Sequence, residues 1–426
     1  MTTDEQHKGF WFLPNDSKNK VPGILYFKAN REIRLELIGG FETGIEEFLA
    51  TKTQDIILGI SSEHKEITLF NCTRFGNWNL SSDYPVTNYK CHYMIIGKHL
   101  SILKEKVFDR IQIDFSSLYD WQPTGQIKNV ITTSKEDKPW DINISISGSG
   151  YWEKIVQITY DFKLVIFGTA NYSSSPNLNH YNLTQNTLFE LSRIKSKKSF
   201  VELLNKAEMF RQFLSLASLS TVDYLNVTLF DNEDYHLTKK GNKIYNPISL
   251  FFIREQENIP KPKRYQFLFT YEEIKDVFPE IIKKWYSLKV EFTPIRNHLL
   301  ESIKTKRVFT SLDFLIIVQA LEGYHRRFIE NVSGKKKIFL RTRIEEVLVL
   351  FDSVKKIHNN RINLTHVVKS RDYYSHFYKK DRKVLDSLEL LKLTEQLRTL
   401  LISCTLRLTG FEMDLINRLL NKNEKT

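Results

Sequence analysis

The chain has 426 residues, of which 41% are apolar and 26% charged, a composition typical of folded chains with two or three domains and not of disordered ones. No run approaches the ~18 apolar residues of a membrane span, and the N-terminus lacks the apolar core of a signal peptide, so we expect a cytoplasmic protein without membrane association. Three cysteines, an odd number at unrelated spacings, suggest neither a disulfide framework nor a zinc ribbon.

Positive charge is concentrated in the C-terminal part of the chain. Residues 251–426 carry 34 Lys and Arg against 22 Asp and Glu, whereas residues 1–250 carry 28 of each. This division predicts that the C-terminal part meets a polyanion such as a nucleic acid. A solvated basic helical surface without any such partner would have the same composition, and this alternative stays open.

The N-terminal part consists of short segments with strand-like patterns. Alternation of polar and apolar residues, or short apolar runs bounded by turn residues, predicts strands and hairpins. Many such segments in succession indicate an antiparallel, β-sandwich-like domain, which we place at residues 1–170. The candidate strands lie at Ile24–Phe27, Ile33–Leu37, 56–60, 67–70, Arg110–Phe115, Asp141–Ile146 and, as one more hairpin, within 154–167.

The middle of the chain, residues 171–305, has a mixed pattern. A polar loop rich in Ser and Asn is predicted at 171–177. A helix is predicted to begin after Ser199, which forms a capping-box pattern with the glutamate three residues later. Strand-like residues return at 221–253, and the Pro- and Lys-rich run Ile259–Arg264 indicates a junction.

The remainder of the chain is predicted to be helical. Its final four or five helices have short connections, which predicts a bundle of antiparallel helices forming a third domain at residues 306–426. A basic loop is expected at Gly334 and Lys335–Lys337. The fold class is therefore α+β and multidomain, a β-sandwich-like domain followed by an all-α bundle. The helices are expected at about 271–286, 289–306, 311–332, 340–357, 363–379, 384–408 and from Glu412.

One stretch of the predicted bundle carries residues suited to catalysis. Arg371 precedes His376 by five positions, and the polar Asp372 follows the arginine directly. A histidine can move a proton near neutral pH, and a guanidinium can hold developing negative charge, which together suit metal-free cleavage of a phosphodiester. Asp372 and Ser375 could hydrogen-bond to the pair and orient it.

The same spacing occurs once more, at Arg361 and His366. We discount this second match because Asn363 is predicted to be an N-cap, which places Arg361 outside the helix. Residues five apart on a helix differ by roughly 140° around its axis, so Arg371 and His376 need a curled arginine, a helix end or a two-fold dimer to act together. The alternative is a surface arginine and histidine without a role.

A further candidate lies on the helix predicted at 311–332. Glu322 has Arg326 one turn later and His325 nearby, and a Glu322 that faces the Arg371 helix could orient a catalytic side chain. An ordinary intrahelical ion pair on a solvated face is the alternative. The histidines lack metal-ligand spacing and no Gly-rich phosphate loop is present, so neither a metal site nor a cofactor is predicted.

These residues resemble a known family. Arg371–His376 within a helical bundle resembles the HEPN domain, whose motif is an arginine, a polar residue, three other residues and a histidine. Leu321–Phe328 is similar to the Apea-type subgroup of that domain. The N-terminal segments that resemble the ApeA N-terminal domain are Gly9–Pro14, Val21–Leu25 and Leu35–Gly39.

The resemblance implies a bacterial antiphage protein of the abortive-infection kind, whose HEPN homodimer cleaves RNA, with tRNA as a candidate substrate, and needs no metal. By motif position Arg371 and His376 are the catalytic pair, and Asp372 occupies the second position, where the family often has Asn. RNA contacts are expected at Arg326, Lys379 and Lys380. The N-terminal domain is expected to sense a phage-derived trigger.

Two other function classes remain compatible with the sequence. In one, the β domain holds a partner and the basic bundle is a non-catalytic dimeric adaptor that binds nucleic acid or protein. In the other, the bundle is a DNA binder of the transcription-factor type. Cleavage by a ribose hydroxyl separates these classes, because DNA lacks the attacking 2′-hydroxyl group.

Overall fold

The structure, a computed structural model, describes residues 5–27, 32–42, 53–76, 86–132, 141–147, 152–175, 180–253, 262–288, 290–305, 311–330 and 338–422. Over these residues an antiparallel β region precedes a helical region, so the α+β prediction is confirmed. The predicted basic loop at Gly334 and Lys335–Lys337 lies outside the described residues, as does part of the predicted junction at Ile259–Arg264.

The described part of the chain contains seventeen β-strands. Each predicted strand segment has a counterpart among them. The strands are β1 Glu5–Leu13, β2 Asp16–Phe27, β3 Ile33–Ile38, β4 Thr53–Ser61, β5 Glu66–Phe75, β6 Val86–Cys91, β7 Tyr93–Ile96, β8 Arg110–Phe115, β9 Ile127–Thr132, β10 Asp141–Ile146, β11 Glu153–Gln157, β12 Phe162–Ser174, β13 Tyr181–Arg193, β14 Tyr224–Phe230, β15 Tyr235–Leu237, β16 Lys243–Tyr245 and β17 Ile248–Phe252.

Thirteen of these strands form one antiparallel sheet that closes on itself at one end. Its order is β11-β12-β13-β8-β14-β17-β7-β5-β4-β1-β2-β3-β6, and β5 also pairs with β6. The strands β4, β1, β2, β3, β6 and β5 therefore make a six-stranded ring. Alternate side chains of each strand point into the ring and form its own apolar core, which includes the fully buried Trp11, Leu35 and Leu69.

One glycine of the ring is required by packing. Gly59 on β4 lies opposite Trp11 on β1. A Cβ atom at position 59 would lie 2.3 Å from the Trp11 indole ring, closer than any side-chain atom can approach. The absence of a side chain at Gly59 is therefore what allows the indole to occupy the centre of the ring.

The other end of the sheet is covered by a long helix. Helix α2 (Phe200–Ser218) packs on β8 and β13, where the rings of Phe210 and Phe189 stack with centroids 4.6 Å apart. Ser199 caps α2 as predicted: its hydroxyl accepts a hydrogen bond from the Glu202 amide at 3.2 Å, and the Glu202 carboxylate accepts one from the Ser199 amide at 3.0 Å.

The β region extends further along the chain than the sequence analysis placed it. The predicted boundary at residue 170 falls inside β12, and the predicted polar loop at 171–177 begins as the outer end of that strand. Strand β13, which the sequence analysis missed, and the later β14 and β17 belong to the same sheet. The sheet is thus completed by residues that were assigned to the middle segment.

The helices of the described residues follow the predicted ones with two breaks. The predicted helix 271–286 is interrupted before Phe278, where Pro279 removes an amide donor from the first turn, and the predicted helix 340–357 is interrupted at the buried Phe351. The helices are α1 Leu118–Trp121, α2, α3 Tyr271–Ile274, α4 Phe278–Ser287, α5 Thr293–Thr305, α6 Ser311–Phe328, α7 Leu340–Leu350, α8 Lys355–Asn359, α9 Leu364–His376, α10 Ser387–Leu408 and α11 Met413–Leu420.

The sheet and the helices share one apolar core. A single cluster of buried side chains continues from the inner face of the sheet through α2 and α4 into the bundle helices. Direct hydrogen bonds join the same layers: the indole of Trp285 donates to the Met209 carbonyl at 2.7 Å, and the Tyr286 hydroxyl donates to the Lys206 carbonyl at 3.0 Å. The bundle is therefore anchored on the β region and is not a separately packed unit.

The bundle also contains a buried ion pair. Arg398 on α10 donates to the carboxylate of Asp313 on α6 and, at 2.8 Å, to the hydroxyl of Ser302 on α5. Both charged side chains are almost fully removed from solvent. The pair fixes the relative position of three helices around the bundle axis. Within the described residues, no helix combines the length and the apolar character needed to cross a bilayer.

Candidate active site

Helix α9 carries both members of the predicted catalytic pair. It begins after Asn363, whose side-chain oxygen accepts hydrogen bonds from the Thr365 and His366 amides at 3.0 and 3.4 Å. Arg361 therefore lies before the helix, and the second arginine–histidine match is split between a loop and a helix, as predicted. The ring of His366 instead contacts the Lys383 carbonyl, with 2.9 Å between Nδ1 and the oxygen.

The other end of α9 places His376 at a helix terminus. Phe377 follows it in the left-handed conformation, with φ of 57°, and its amide donates to the Tyr373 carbonyl at 3.0 Å. The last residue of a helix has no further turn above it, so the long side chain of an arginine on the preceding turn can reach it. His376 is exposed at this end, while Arg371 is partly buried.

Arg371 and His376 are in direct contact. The Nη1 atom of Arg371 lies 2.7 Å from Nε2 of His376. A guanidinium has only donors, so Nε2 must accept this hydrogen bond and the ring proton must sit on Nδ1. The arrangement thus directs the Nε2 lone pair of the imidazole at a cation, and a free lone pair at Nε2 is what proton acceptance requires.

Two carboxylates lie near the Arg371 guanidinium. Asp372 Oδ1 is 3.0 Å from Nη1, and Glu322 Oε2 on α6 is 4.0 Å from Nη2. Glu322 therefore lies within reach of Arg371, while its closer partner is Arg326 one turn later on α6, the intrahelical pair that the sequence left open as the alternative. These contacts turn the guanidinium toward the helix end and limit its freedom, which reduces the entropy lost when it binds an anion.

Glu322 lies among three arginines. Its Oε1 atom accepts a hydrogen bond from Arg326 at 2.7 Å and lies 4.0 Å from Nε of Arg343 on α7. With Arg371 on the other oxygen, one carboxylate faces three positive groups from α6, α7 and α9. Arg343 also pairs with Glu330 and Arg371 with Asp372, so carboxylates balance these arginines, and an anionic ligand beside Arg371 would compete with them for the guanidinium.

Arg343 and its contacts with Glu330 and His325 were missed by the sequence analysis. Arg343 donates to Glu330 Oε2 at 2.6 Å and to Nδ1 of the fully buried His325 at 3.2 Å. Because the guanidinium donates to Nδ1, the His325 proton is on Nε2, which lies 2.5 Å from Glu346 Oε2. A sequence signal for Arg343 exists: it shares the buried face of α7 with Ile344 and Val347, where an arginine needs partners.

Arg343 lowers the pKa of one carboxyl group, that of Glu330. The hydrogen bond from Arg343 is the main cause that holds the pKa of Glu330 below its usual value. Glu330 lies just beyond the end of α6, so this ion pair ties the end of α6 to the start of α7. This ion pair therefore stabilises the position of α6, the helix that carries Glu322.

Two families match the chain. ApeA N-terminal domain 1 matches residues 6–285, and Apea-like HEPN matches residues 315–415. The first match alone covers more than half of the chain. The chain belongs to the ApeA family. No curated protein and no solved structure matches it. The resemblance inferred from the sequence is thereby confirmed.

The two ApeA matches follow the architecture of the fold. The first spans the thirteen-stranded sheet together with α2, α3 and most of α4, and the second spans most of α6, all of α7 to α10 and the start of α11. Arg371, His376 and Glu322 all lie in the HEPN match. HEPN domains are generally nuclease-type, and the pairing with an ApeA N-terminal domain indicates a nuclease-type protein of antiphage defence.

The remaining predicted residues of the ApeA bundle are placed less centrally. Among the described contacts, the Ser375 side chain has no hydrogen-bond partner and does not orient the pair. Lys380 pairs with Asp386 at 2.5 Å, a hydrogen bond that raises the lysine pKa. Lys379 is exposed next to it, and Arg326 is exposed while it pairs with Glu322. All three cations lie close in sequence to the pair or to Glu322.

Metal ligands are not gathered at this site. In the parts of the chain that the structure describes, no three His, Cys, Asp or Glu side chains are arranged to hold a metal ion. The chemistry that the arrangement can perform with its own groups is proton transfer by His376 and charge stabilisation by Arg371.

Proposed function

We propose that the chain is a metal-independent endoribonuclease of an abortive-infection antiphage system, cleaving RNA at the Arg371–His376 pair. The observation that carries the proposal is the 2.7 Å contact between the guanidinium and the imidazole at an accessible helix end inside the HEPN match. In this contact Nε2 of the imidazole is the acceptor, and the guanidinium beside it is a ready partner for a phosphate.

The cleavage reaction uses the ribose of the substrate as nucleophile. An RNA phosphate that binds Arg371 competes for the N–H group now donated to His376, which frees the Nε2 lone pair. Nε2 then takes the proton of the 2′-hydroxyl, whose oxygen attacks the adjacent phosphorus, and the bond to the departing 5′-oxygen breaks. Arg371 neutralises the additional negative charge of the transition state. The products carry a 2′,3′-cyclic phosphate and a 5′-hydroxyl.

A dimer would complete this chemistry. The departing 5′-oxygen needs a proton while the 2′-hydroxyl loses one, and a single imidazole is placed for only one of these transfers at a time. A second copy related by a two-fold axis supplies a second His376 at the same cleft, and in its protonated form this imidazole gives the 5′-oxygen the proton that it needs. The aromatic side chains of Phe377 and Tyr378, 89% and 63% exposed beside His376, are available for such an interface.

The substrate class follows from charge and from the ribose hydroxyl. Arg326 and Lys379 are exposed near the pair and extend the positive surface along which an RNA backbone could run. DNA can bind the same surface but lacks the attacking group. A folded RNA with accessible single-stranded loops, such as tRNA, suits a site at an exposed helix end.

The N-terminal sheet has a regulatory role in this proposal. It recognises a phage-derived trigger in the bacterial cytoplasm and changes the activity of the bundle. The shared core supports such coupling, because a shift of α2 against the sheet is passed to α4 and α5 through packed side chains.

The deciding experiment is RNA cleavage by the full chain. Wild type, Arg371→Ala, His376→Ala and His366→Ala are incubated with RNA and with DNA of the same sequence, each with excess chelator. We expect RNA cleavage by wild type and by His366→Ala, the matched control from the other arginine–histidine match, and a loss of at least about a hundredfold in the other two variants. Cleavage retained in His376→Ala, or a strict need for a divalent ion, would overturn the proposal.

The alternative function, a non-catalytic adaptor, predicts a different outcome of this experiment. A non-catalytic adaptor binds RNA, DNA or protein but leaves RNA intact in every variant. Wild type that binds RNA without any cleavage, with or without a trigger-bearing phage lysate, would therefore favour the dimeric adaptor.

A further inference from the structure

A cavity of about 560 Å³ lies where the sheet, α2 and α5 meet, away from the Arg371–His376 pair. Its volume is in the range of small-molecule sites. The sheet contributes an aromatic wall, in which Phe252 lies 5.4 Å from Tyr224 and 6.3 Å from Tyr93 between ring centroids. Helix α2 forms a second wall and α5 a third, so the cavity joins the β region to the first bundle helix.

The wall formed by α2 is unusual for a helix that is otherwise packed with apolar side chains. Glu208, Arg211, Gln212 and Ser215 follow one another at helical spacing and all line the cavity. Buried polar groups are retained in a core only where they have partners or a role. The hydrogen bonds of these four residues show which of them are already satisfied.

Glu208 is saturated by partners from the chain itself. Its Oε1 atom accepts from Arg211 at 2.6 Å and from Gln212 at 3.2 Å, and its Oε2 atom accepts from Arg211 at 2.7 Å and from the Tyr224 hydroxyl at 2.6 Å. Four donors fill the acceptor sites of a carboxylate. Glu208 and Arg211 therefore form a rigid base and have little capacity left for a ligand.

Gln212 and Ser215 are left incomplete. A carboxylate can only accept, so Gln212 must turn its NH₂ group toward Glu208, and its Oε1 atom faces away. This oxygen and the Ser215 hydroxyl are both buried and have no hydrogen-bond partner among the described residues. Two unpaired polar atoms one turn apart on a cavity wall are the partners that a bound molecule with donor groups would satisfy.

The charge of the lining selects against anions. The cavity is lined by three acidic residues, Glu208, Asp223 and Glu301, and by two basic residues, Arg211 and Lys304. The net negative charge of this lining would repel a phosphate group, whereas it would not repel a neutral molecule. Aromatic side chains on the facing wall favour a planar ring.

We propose that this cavity binds a neutral planar molecule with N–H donors, of the nucleoside class. The ring lies against Tyr93, Tyr224 and Phe252, and donor groups of the base reach Gln212 Oε1 and the Ser215 hydroxyl after a small rotation of these side chains. Binding ties α2 and the sheet to α5, which packs directly on the helix that carries Glu322. The inference concerns binding and does not depend on whether the chain cleaves RNA.

The test is direct binding to the full-length protein, measured by calorimetry and by thermal shift. Adenosine, guanosine, cytidine and uridine are compared with their 5′-monophosphates, using wild type, Ser215→Ala, Gln212→Leu and Lys206→Ala. Lys206 lies on the same helix but does not line the cavity, so its variant is the matched control. We expect at least one nucleoside to bind wild type and the control, at least tenfold weaker binding of its monophosphate, and at least tenfold weaker binding to both cavity variants.

Three results would overturn the inference. They are the absence of binding by all four nucleosides, tighter binding of a monophosphate than of its nucleoside, and affinity unchanged in both Ser215→Ala and Gln212→Leu. The Ser215→Ala variant guards against misfolding as an explanation, since it only removes an unpaired hydroxyl and should unfold at the wild-type temperature or above it.

Discussion

Glu322 on α6 and Arg371 on α9 face each other across the bundle, with 4.0 Å between Oε2 and Nη2. The carboxylate is itself held by Arg326 and lies beside Arg343, so its position is set by charges on both sides. In the proposed reaction this makes Glu322 a positioning residue: it acts on the phosphate only through the direction in which it points the guanidinium of Arg371.

The first prediction concerns this carboxylate. Glu322→Gln keeps the size of the side chain and removes its charge, so Arg371 is held less firmly and RNA cleavage should fall about tenfold, equivalent to about 1.4 kcal/mol of transition-state stabilisation. The loss should appear in kcat more than in KM, because the transition state carries more charge than the substrate. Glu345→Gln on the exposed face of α7 is the control. Equal rates of RNA cleavage by the two variants would show that Glu322 does not act at the site.

The second prediction concerns Asp372, which lies 3.0 Å from Arg371. Asp372→Asn removes a negative charge next to the expected position of the phosphate, so RNA should bind more tightly, with KM lowered by a few-fold. The gain should be larger near 50 mM salt than near 200 mM salt, because ions screen the interaction. Steady-state cleavage at the two salt concentrations checks it, and a raised KM would contradict it.

The third prediction concerns acid stability. Because the hydrogen bond from Arg343 lowers the pKa of Glu330 in the folded state, this group contributes stability above the ordinary carboxyl pKa of 4.5. That contribution is lost as the pH falls through the lowered value. Thermal unfolding of wild type and Glu330→Gln between pH 7 and pH 3 should therefore converge toward the acid end, with wild type more stable at pH 7. A gap that widens on acidification would contradict the assignment.

The fourth prediction compares two glycines. Gly323 lies within α6, where an added Cβ would meet Ile295 at an ordinary contact distance of 3.6 Å, so Gly323→Ala should stabilise the fold by about 0.5–1 kcal/mol. Gly59→Ala should destabilise it by about 1–3 kcal/mol, because the methyl group collides with the Trp11 ring. Urea unfolding distinguishes the two directions, and a loss of stability in Gly323→Ala would show that α6 has no room there.

The fifth prediction concerns the buried pair between Arg398 and Asp313. Asp313→Ala leaves the buried guanidinium with only the Ser302 hydroxyl and the partly exposed Glu395 carboxylate as partners, so unfolding in urea should require about 3 kcal/mol less free energy. Arg407→Ala, which breaks the exposed pair with Glu412, is the control and should cost less than about 1 kcal/mol. Similar losses of unfolding free energy in the two variants would mean that the buried ion pair stabilises the fold no more than the exposed one.

Local patterns in the sequence were sufficient for much of the fold. The alternation in Arg110–Phe115 predicted β8, and the capping box at Ser199 predicted the first residue of α2, because both signals act within a few residues. Strand β13 was missed for the opposite reason. Its first half is polar and pairs with the outer end of β12, beyond the core, so it has no apolar face to alternate.

The candidate site, like the fold, could be predicted from the sequence only where its residues lie close together in the chain. Arg371 and His376 lie on one helix and could be paired from spacing, and the N-cap at Asn363 correctly separated Arg361 from His366. Arg343 could not be joined to His325 in this manner, since their contact depends on how α7 crosses α6. Contacts between elements distant in the chain arise from packing, which the sequence pattern does not specify.

The apolar layer between the sheet and the bundle has a consequence for chimeric proteins. Exchanging the N-terminal half for that of a relative would place foreign α2 side chains opposite Trp285 and Tyr286, which pack on this helix and donate to its backbone carbonyls. A viable hybrid would have to carry α2 and α4 over together. The sheet and the HEPN bundle are thus expected to be exchangeable only as one block.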